Sequence, residues 1–173
     1  MGLLRPTNDF LERLRGLFIP YLGILVATYN ESTGSKLYVR GVTTDAQFVG
    51  RVSMSEEDFE EILQEMNFQR NPLASIKRLV GTREQEEGSF RWIPSSESNL
   101  NDDFQLHVIL YDGIVVPDAQ TGETFIYGHW EYRWDRYPLR HYKGLDADVS
   151  RGVNMMQAKL DEAGIKYDSK LRQ

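Results

Sequence analysis

A chain of 173 residues with 40% hydrophobic and 12% aromatic side chains can fill one domain core, which excludes wholesale disorder. The absence of cysteine excludes disulfides, thiol catalysis and thiolate metal sites, and suits a cytoplasmic protein. A net charge of −6 argues against a general phosphate-binding surface.

The first expected element is a short helix from Asn8 to Phe18, with Asn8 as cap, Phe10, Leu14 and Leu17 as an apolar stripe, and Pro20 as its stop. Leu22 to Tyr29 is apolar on both faces and reads as a central strand. The apolar run from Leu17 to Ala27 is shorter than the ~20 residues a membrane span needs, so no membrane association is expected. Asn30 to Ser35 is turn chemistry. Leu37–Thr43 and Phe48–Met54 then alternate, which predicts an antiparallel meander. Gly41 and Gly50 within these strands mark bulges or close approaches.

Ser55 and Asp58 stand at capping-box spacing, and Phe59, Ile62, Leu63 and Met66 follow on one helical face. Asn71-Pro72 predicts a second helix start, continued by Leu73, Ile76 and Val80. Phe90 to Trp92 suggests a short strand ending at Pro94, and Ser95 to Asp103 a loop. Phe104–Tyr111 and Glu123–Trp134 alternate strictly and predict two long strands. Asp146 or Asp148 caps a last helix carrying Val149, Val153, Met156 and Leu160, with Gly164 at its C′ position. Gly152 inside that helix points to close backbone packing or to a later helix start.

The order is α-βββ-αα-βββ-α. Strands grouped in runs favour an α+β fold, with a mostly antiparallel sheet and helices packed on one face. A single domain over residues 1–167 is expected, with a frayed tail over 168–173.

The segment from Tyr127 to Lys143 is the densest in chemistry. It holds two of three histidines, two of three tryptophans, and four cations against two anions. Pairing the two long strands, core face to core face, puts His107, Tyr111, Tyr127, His129, Glu131 and Arg133 on one shared surface, read as the wet side of the sheet. Two imidazoles and a carboxylate suit a divalent metal, a general base oriented by its carboxylate, or, with Arg and Tyr, an anionic ligand. The candidates for catalysis are His129, Glu131 and His107. The spacing matches no metal-ligand signature, so neither a metal nor a cofactor is expected.

Trp134, Arg136, Tyr137, Arg140, His141 and Tyr142 follow, mixing rings and cations. With Tyr111, Tyr127 and Arg133 they are the candidate binding residues. Tyr, Trp and Arg dominate interface energies, so the leading expectation is a non-enzymatic binding or assembly protein that engages a protein partner or itself. The alternative is a small-molecule enzyme or ligand binder using the His/Glu/Arg cluster. Nucleic acid is disfavoured by the acidic whole. Serine elbows, phosphate loops, dinucleotide fingerprints and HExxH are absent.

Overall fold

Two nine-residue strands with alternating side chains build the centre of the sheet, and everything else is placed against them. The fold is given by a computed structural model, which describes residues 32–33, 42–71, 78–79, 88–95, 102–113, 122–142 and 144–170. Its elements are β1 (Val42–Thr43), β2 (Phe48–Val52), α1 (Glu56–Glu65), β3 (Gln69–Arg70), β4 (Arg78–Leu79), β5 (Gly88–Trp92), β6 (Phe104–Asp112), β7 (Thr124–Tyr132), α2 (Pro138–Tyr142) and α3 (Val149–Glu162). Five strands form an antiparallel sheet in the order β2-β7-β6-β5-β3. The fold is α+β.

β6 and β7 pair along their whole length, with His107 opposite His129 and Leu106 opposite Trp130. Since side chains alternate, this register sends Leu106, Val108, Leu110, Ile126 and Trp130 to one face. There they meet Phe59 and Leu63 of α1 and Met156 and Leu160 of α3, all buried in one cluster. Burying each such side chain stabilises the fold by about 1.5–3 kcal/mol.

α1 starts where its sequence directs. Ser55 Oγ accepts from the Asp58 backbone N–H at 3.2 Å and donates to Asp58 Oδ2 at 2.7 Å. α3 is capped by Asp148, whose carboxylate accepts from Arg151 N–H at 2.9 Å. Asp148 also bridges Trp130 through backbone hydrogen bonds of 2.9 and 2.8 Å, beside β7 and beyond the stretch that pairs with β2. This pins the helix start to the sheet. One turn later Gly152 lies so close to β7 that a Cβ there would sit 2.2 Å from His129 Cα. Close backbone packing is therefore the reason for this glycine. Gly50 follows the same logic: β2 shifts register between Phe48 and Gly50, and Tyr167 Cδ2 would lie 2.6 Å from a Cβ at Gly50.

Several expectations are corrected. β1 does not pair with β2 in a meander; it pairs in parallel with β4, while β2 joins β7. A 3₁₀ turn at Asp45–Gln47 separates β1 from β2, and Gln47 Oε1 accepts from the Thr44 N–H at 3.3 Å. That turn redirects the chain instead of folding it back as a hairpin. Residues 78–79 are strand, not the end of a helix from Pro72, because pairing with β1 overrides the local apolar stripe. Asp168 is not frayed: its backbone bridges Arg51, and its carboxylate meets Arg51 Nη2 at 2.7 Å. The expected helix at 8–18, the strand at 22–29 and residues 72–77 lie outside the described residues. Among those described, no helix is long and apolar enough to cross a membrane.

The second sheet face is the larger surprise. Phe48, Ile109, Tyr111, Phe125 and Tyr127 form a second buried cluster there, and Tyr111 Oη donates to the buried Thr43 Oγ1 of β1 at 2.9 Å. Toward the other end of the same face, the side chains become polar.

Candidate functional site

On that face β5 contributes Ser89 and Arg91, β6 contributes Gln105 and His107, and β7 contributes His129 and Glu131. The register sets Arg91 opposite His107, and Gln105 opposite Glu131. The face shared by His107, His129 and Glu131 is the one expected, but it is not wet. All three are at most 1% exposed. Trp130 on the opposite face is buried as well, so β7 is covered on both sides.

Three imidazoles, the complete histidine content of the chain, surround one carboxylate. His107 Nδ1 lies 2.7 Å from Glu131 Oε1, and Gln105 Nε2 donates to the same oxygen at 3.2 Å. His129 Nε2 lies 3.1 Å and His141 Nδ1 3.4 Å from Glu131 Oε2. Despite this proximity, Oε2 is buried and accepts no hydrogen bond of good geometry. The far side of His107 is fixed, with Nε2 2.8 Å from Ser89 Oγ. One ligand atom from each of His107, His129 and Glu131 falls within a span of 4.8 Å.

Burial alone would raise the Glu131 pKa, but the neighbouring His129 and His107 outweigh it and hold the carboxyl well below its usual range. Glu131 is thus an anion sealed among imidazoles. Breaking such a buried pair costs about 3–5 kcal/mol, whereas replacing the whole set with apolar groups is often neutral or stabilising. Packing alone therefore gives the cluster no advantage over a hydrophobic one.

His141 comes from α2, which closes over this end of the sheet. It is 6% exposed, and its Nδ1 is also 3.0 Å from the Tyr132 carbonyl oxygen. The segment before it is held by its own rings and charges. Tyr137 packs edge-on against Tyr132, and Arg140 lies over the Tyr132 ring while donating to its hydroxyl at 2.7 Å. Arg133 forms a two-point pair with Asp135 at 2.9 and 3.1 Å, and Arg136 pairs with Asp102 and Asp103. Arg91 stacks over Trp134 and reaches Asp135 at 3.4 Å.

These placements sort the sequence candidates. Tyr111, Tyr127 and His141 are buried, which corrects the reading that set them on an open binding surface. Burial is also the first cause that raises the Tyr127 phenol pKa. Arg133, Trp134 and Tyr137 are partly covered and engaged internally. Arg136 and Arg140 are exposed, and the Tyr142 side chain lies outside what the structure describes. Ser89 was missed, since a lone serine in a five-residue strand carries no signal.

The Arg133–Asp135 latch has a testable pH dependence. The Arg133 hydrogen bonds, aided by Arg91, lower the Asp135 pKa from 3.8 to about 2. A depressed folded pKa gives stability that is complete above the unfolded value and lost as pH falls from about 4 toward 2. Asp135 is solvent-accessible, so screening limits the effect to about 1 kcal/mol or less. Chemical denaturation of wild type and Asp135→Asn should differ by that amount at pH 6 and converge near pH 2. A gap that persists at pH 2 would show that the latch acts through something other than this charge.

No family model, curated protein or solved structure matches the chain.

Proposed function

We propose that the protein binds a divalent transition-metal ion through His107, His129 and Glu131. One observation carries this reading: two fully buried imidazoles and one buried carboxylate each bring a ligand atom to within 4.8 Å of the others. A metal ion would take the place of the protons these nitrogens share with the carboxylate, so binding releases protons and tightens as pH rises. Imidazole and carboxylate donors without thiolate suit Zn²⁺ and its neighbours Co²⁺ and Ni²⁺, not Ca²⁺ or Mg²⁺, which take oxygen shells. The Ser89 hydroxyl beside His107 Nε2 fits the second part of such a centre. When Nδ1 holds the ion, Nε2–H donates to Ser89 and fixes the ring orientation.

Calorimetric titration of Zn²⁺ into chelator-treated full-length protein tests the proposal. The expected result is one ion per chain in wild type, and no saturable binding in His107→Ala or His129→Ala. A wild-type protein that takes up no zinc, or takes it up equally well in both variants, would refute it.

A second reading keeps the surface around residues 127–143, extended to Leu145, as a contact for a protein partner. It is favoured by Leu139 of the cationic α2 and Leu145 just beyond it, which are 72% and 47% exposed. A Leu139→Asp/Leu145→Asp chain that runs at the same size as wild type in light scattering, and captures the same partners, would remove it.

A further inference from the structure

We infer that His141 is a third imidazole ligand of this centre, delivered by α2, so that the coordination shell is complete only when the 133–142 segment is closed on the sheet. The inference rests on the metal-binding reading above and adds a ligand that neither strand carries.

His141 faces the same carboxylate oxygen as His129, at 3.4 Å against 3.1 Å. With bonds of about 2.0–2.2 Å, a tetrahedral centre sets neighbouring ligand atoms about 3.4 Å apart. The His141 ring centroid is 6.5 Å from that of His107, and the atoms that converge within 4.8 Å belong to His107, His129 and Glu131, so His141 stands beside the centre and must turn inward to join it. Nδ1 is the nitrogen on the carboxylate side. Ligation through it moves the ring proton to Nε2 and exchanges the Tyr132 carbonyl contact for a metal bond.

The carrier of this ligand is attached through side chains, not through a strand ladder. α2 has five residues, too few for a helix that stands alone. The described attachments of this segment are the His141–carbonyl contact, the Arg140 hydrogen bond and stacking on Tyr132, the Tyr137 ring against Tyr132, and the Arg136 pairs with Asp102 and Asp103. The two strand histidines, in contrast, sit in the middle of an antiparallel ladder. Strand ligands preorganise one side of the centre, and a detachable ligand closes the other. A closed His₃Glu shell has the character of a structural site, while lifting α2 leaves a position that water or an anionic ligand takes, as in catalytic zinc sites.

The test uses full-length protein loaded with Co²⁺ for spectra and Zn²⁺ for affinity, comparing wild type with His141→Gln. Gln keeps a donor for the Tyr132 carbonyl but is a poor ligand. Expected are a Zn²⁺ affinity at least tenfold weaker, the low end of what even an outer-shell loss costs, and a changed visible Co²⁺ spectrum. Added imidazole should restore the wild-type spectrum by occupying the vacated position. Zn²⁺ should also slow amide exchange across residues 133–142 in wild type and not in the variant. If circular dichroism shows that His141→Gln folds poorly, His141→Ala with imidazole supplied gives the same readout. Unchanged affinity and spectrum in His141→Gln, with imidazole inert and His107→Ala still unable to bind, would overturn the third ligand and leave the two-histidine centre standing. Absence of zinc binding in wild type would instead remove the centre itself, and this inference with it.

Discussion

Gly152→Ala is expected to destabilise the domain by at least 3 kcal/mol, although alanine is the better helix former. In an exposed helix interior the same change is worth about 1 kcal/mol in favour of Ala. Here a Cβ would stand 2.2 Å from His129 Cα, 2.3 Å from its carbonyl carbon and 2.5 Å from Trp130 N. All three are backbone atoms of a central strand, so no side-chain rotation relieves the clash. Over-packing usually costs about 1–3 kcal/mol, and this contact belongs at or above the top of that range because α3 or β7 must shift as a unit. Such a shift disturbs the Asp148–Trp130 bridge and the strand that carries His129 and Glu131. Urea denaturation reads the effect directly. Asn154→Ala, on the exposed side of the same helix, is the control and should change stability little. Equal behaviour of the two variants would mean that α3 does not dock at Gly152.

Glu131→Ala is expected to be nearly as damaging, and for a different reason. It removes the anion that His107, His129 and Gln105 surround, and leaves their polar atoms buried without the charge that organised them. A loss of about 3–5 kcal/mol follows from breaking a buried pair on one side. The triple variant His107→Leu/His129→Leu/Glu131→Met should recover much of that loss by replacing the set with apolar groups, while losing all metal binding. That contrast separates a cluster kept for its chemistry from one needed to hold the fold. A triple variant as unstable as Glu131→Ala would make the network structural.

Much of the frame was readable from the sequence because its signals are local. Ser55 caps its helix as expected and Asp148, one of two candidates, caps the last, while the alternation through 104–111 and 123–134 groups the core residues on one face and His107, His129 and Glu131 on the other. Gly152 and Gly50 announced close approaches that the packing confirms. What failed was non-local. A polar, aromatic strand face normally means solvent, and nothing in His129 or Glu131 alone says that β1 and α2 cover it. The grouping of His107 with His129 and Glu131 survived because strand pairing alone decides it. His141 was visible only as a residue of a cationic, aromatic segment. Its inward turn depends on Tyr132 and Arg140 folding α2 back over β7, a contact between side chains that follows no periodic pattern. The same segment reads as an open interface because Asp102 and Asp103, the partners of Arg136, come from a loop some thirty residues away in the chain.

Whether His107, His129 and Glu131 hold a metal ion is decided by zinc K-edge X-ray absorption on the loaded protein. Expected is one tightly held ion per chain, with nitrogen and oxygen neighbours at about 2.0–2.1 Å and outer-shell scattering from at least two imidazole rings. An oxygen-only shell, or zinc that washes away on gel filtration, would contradict it.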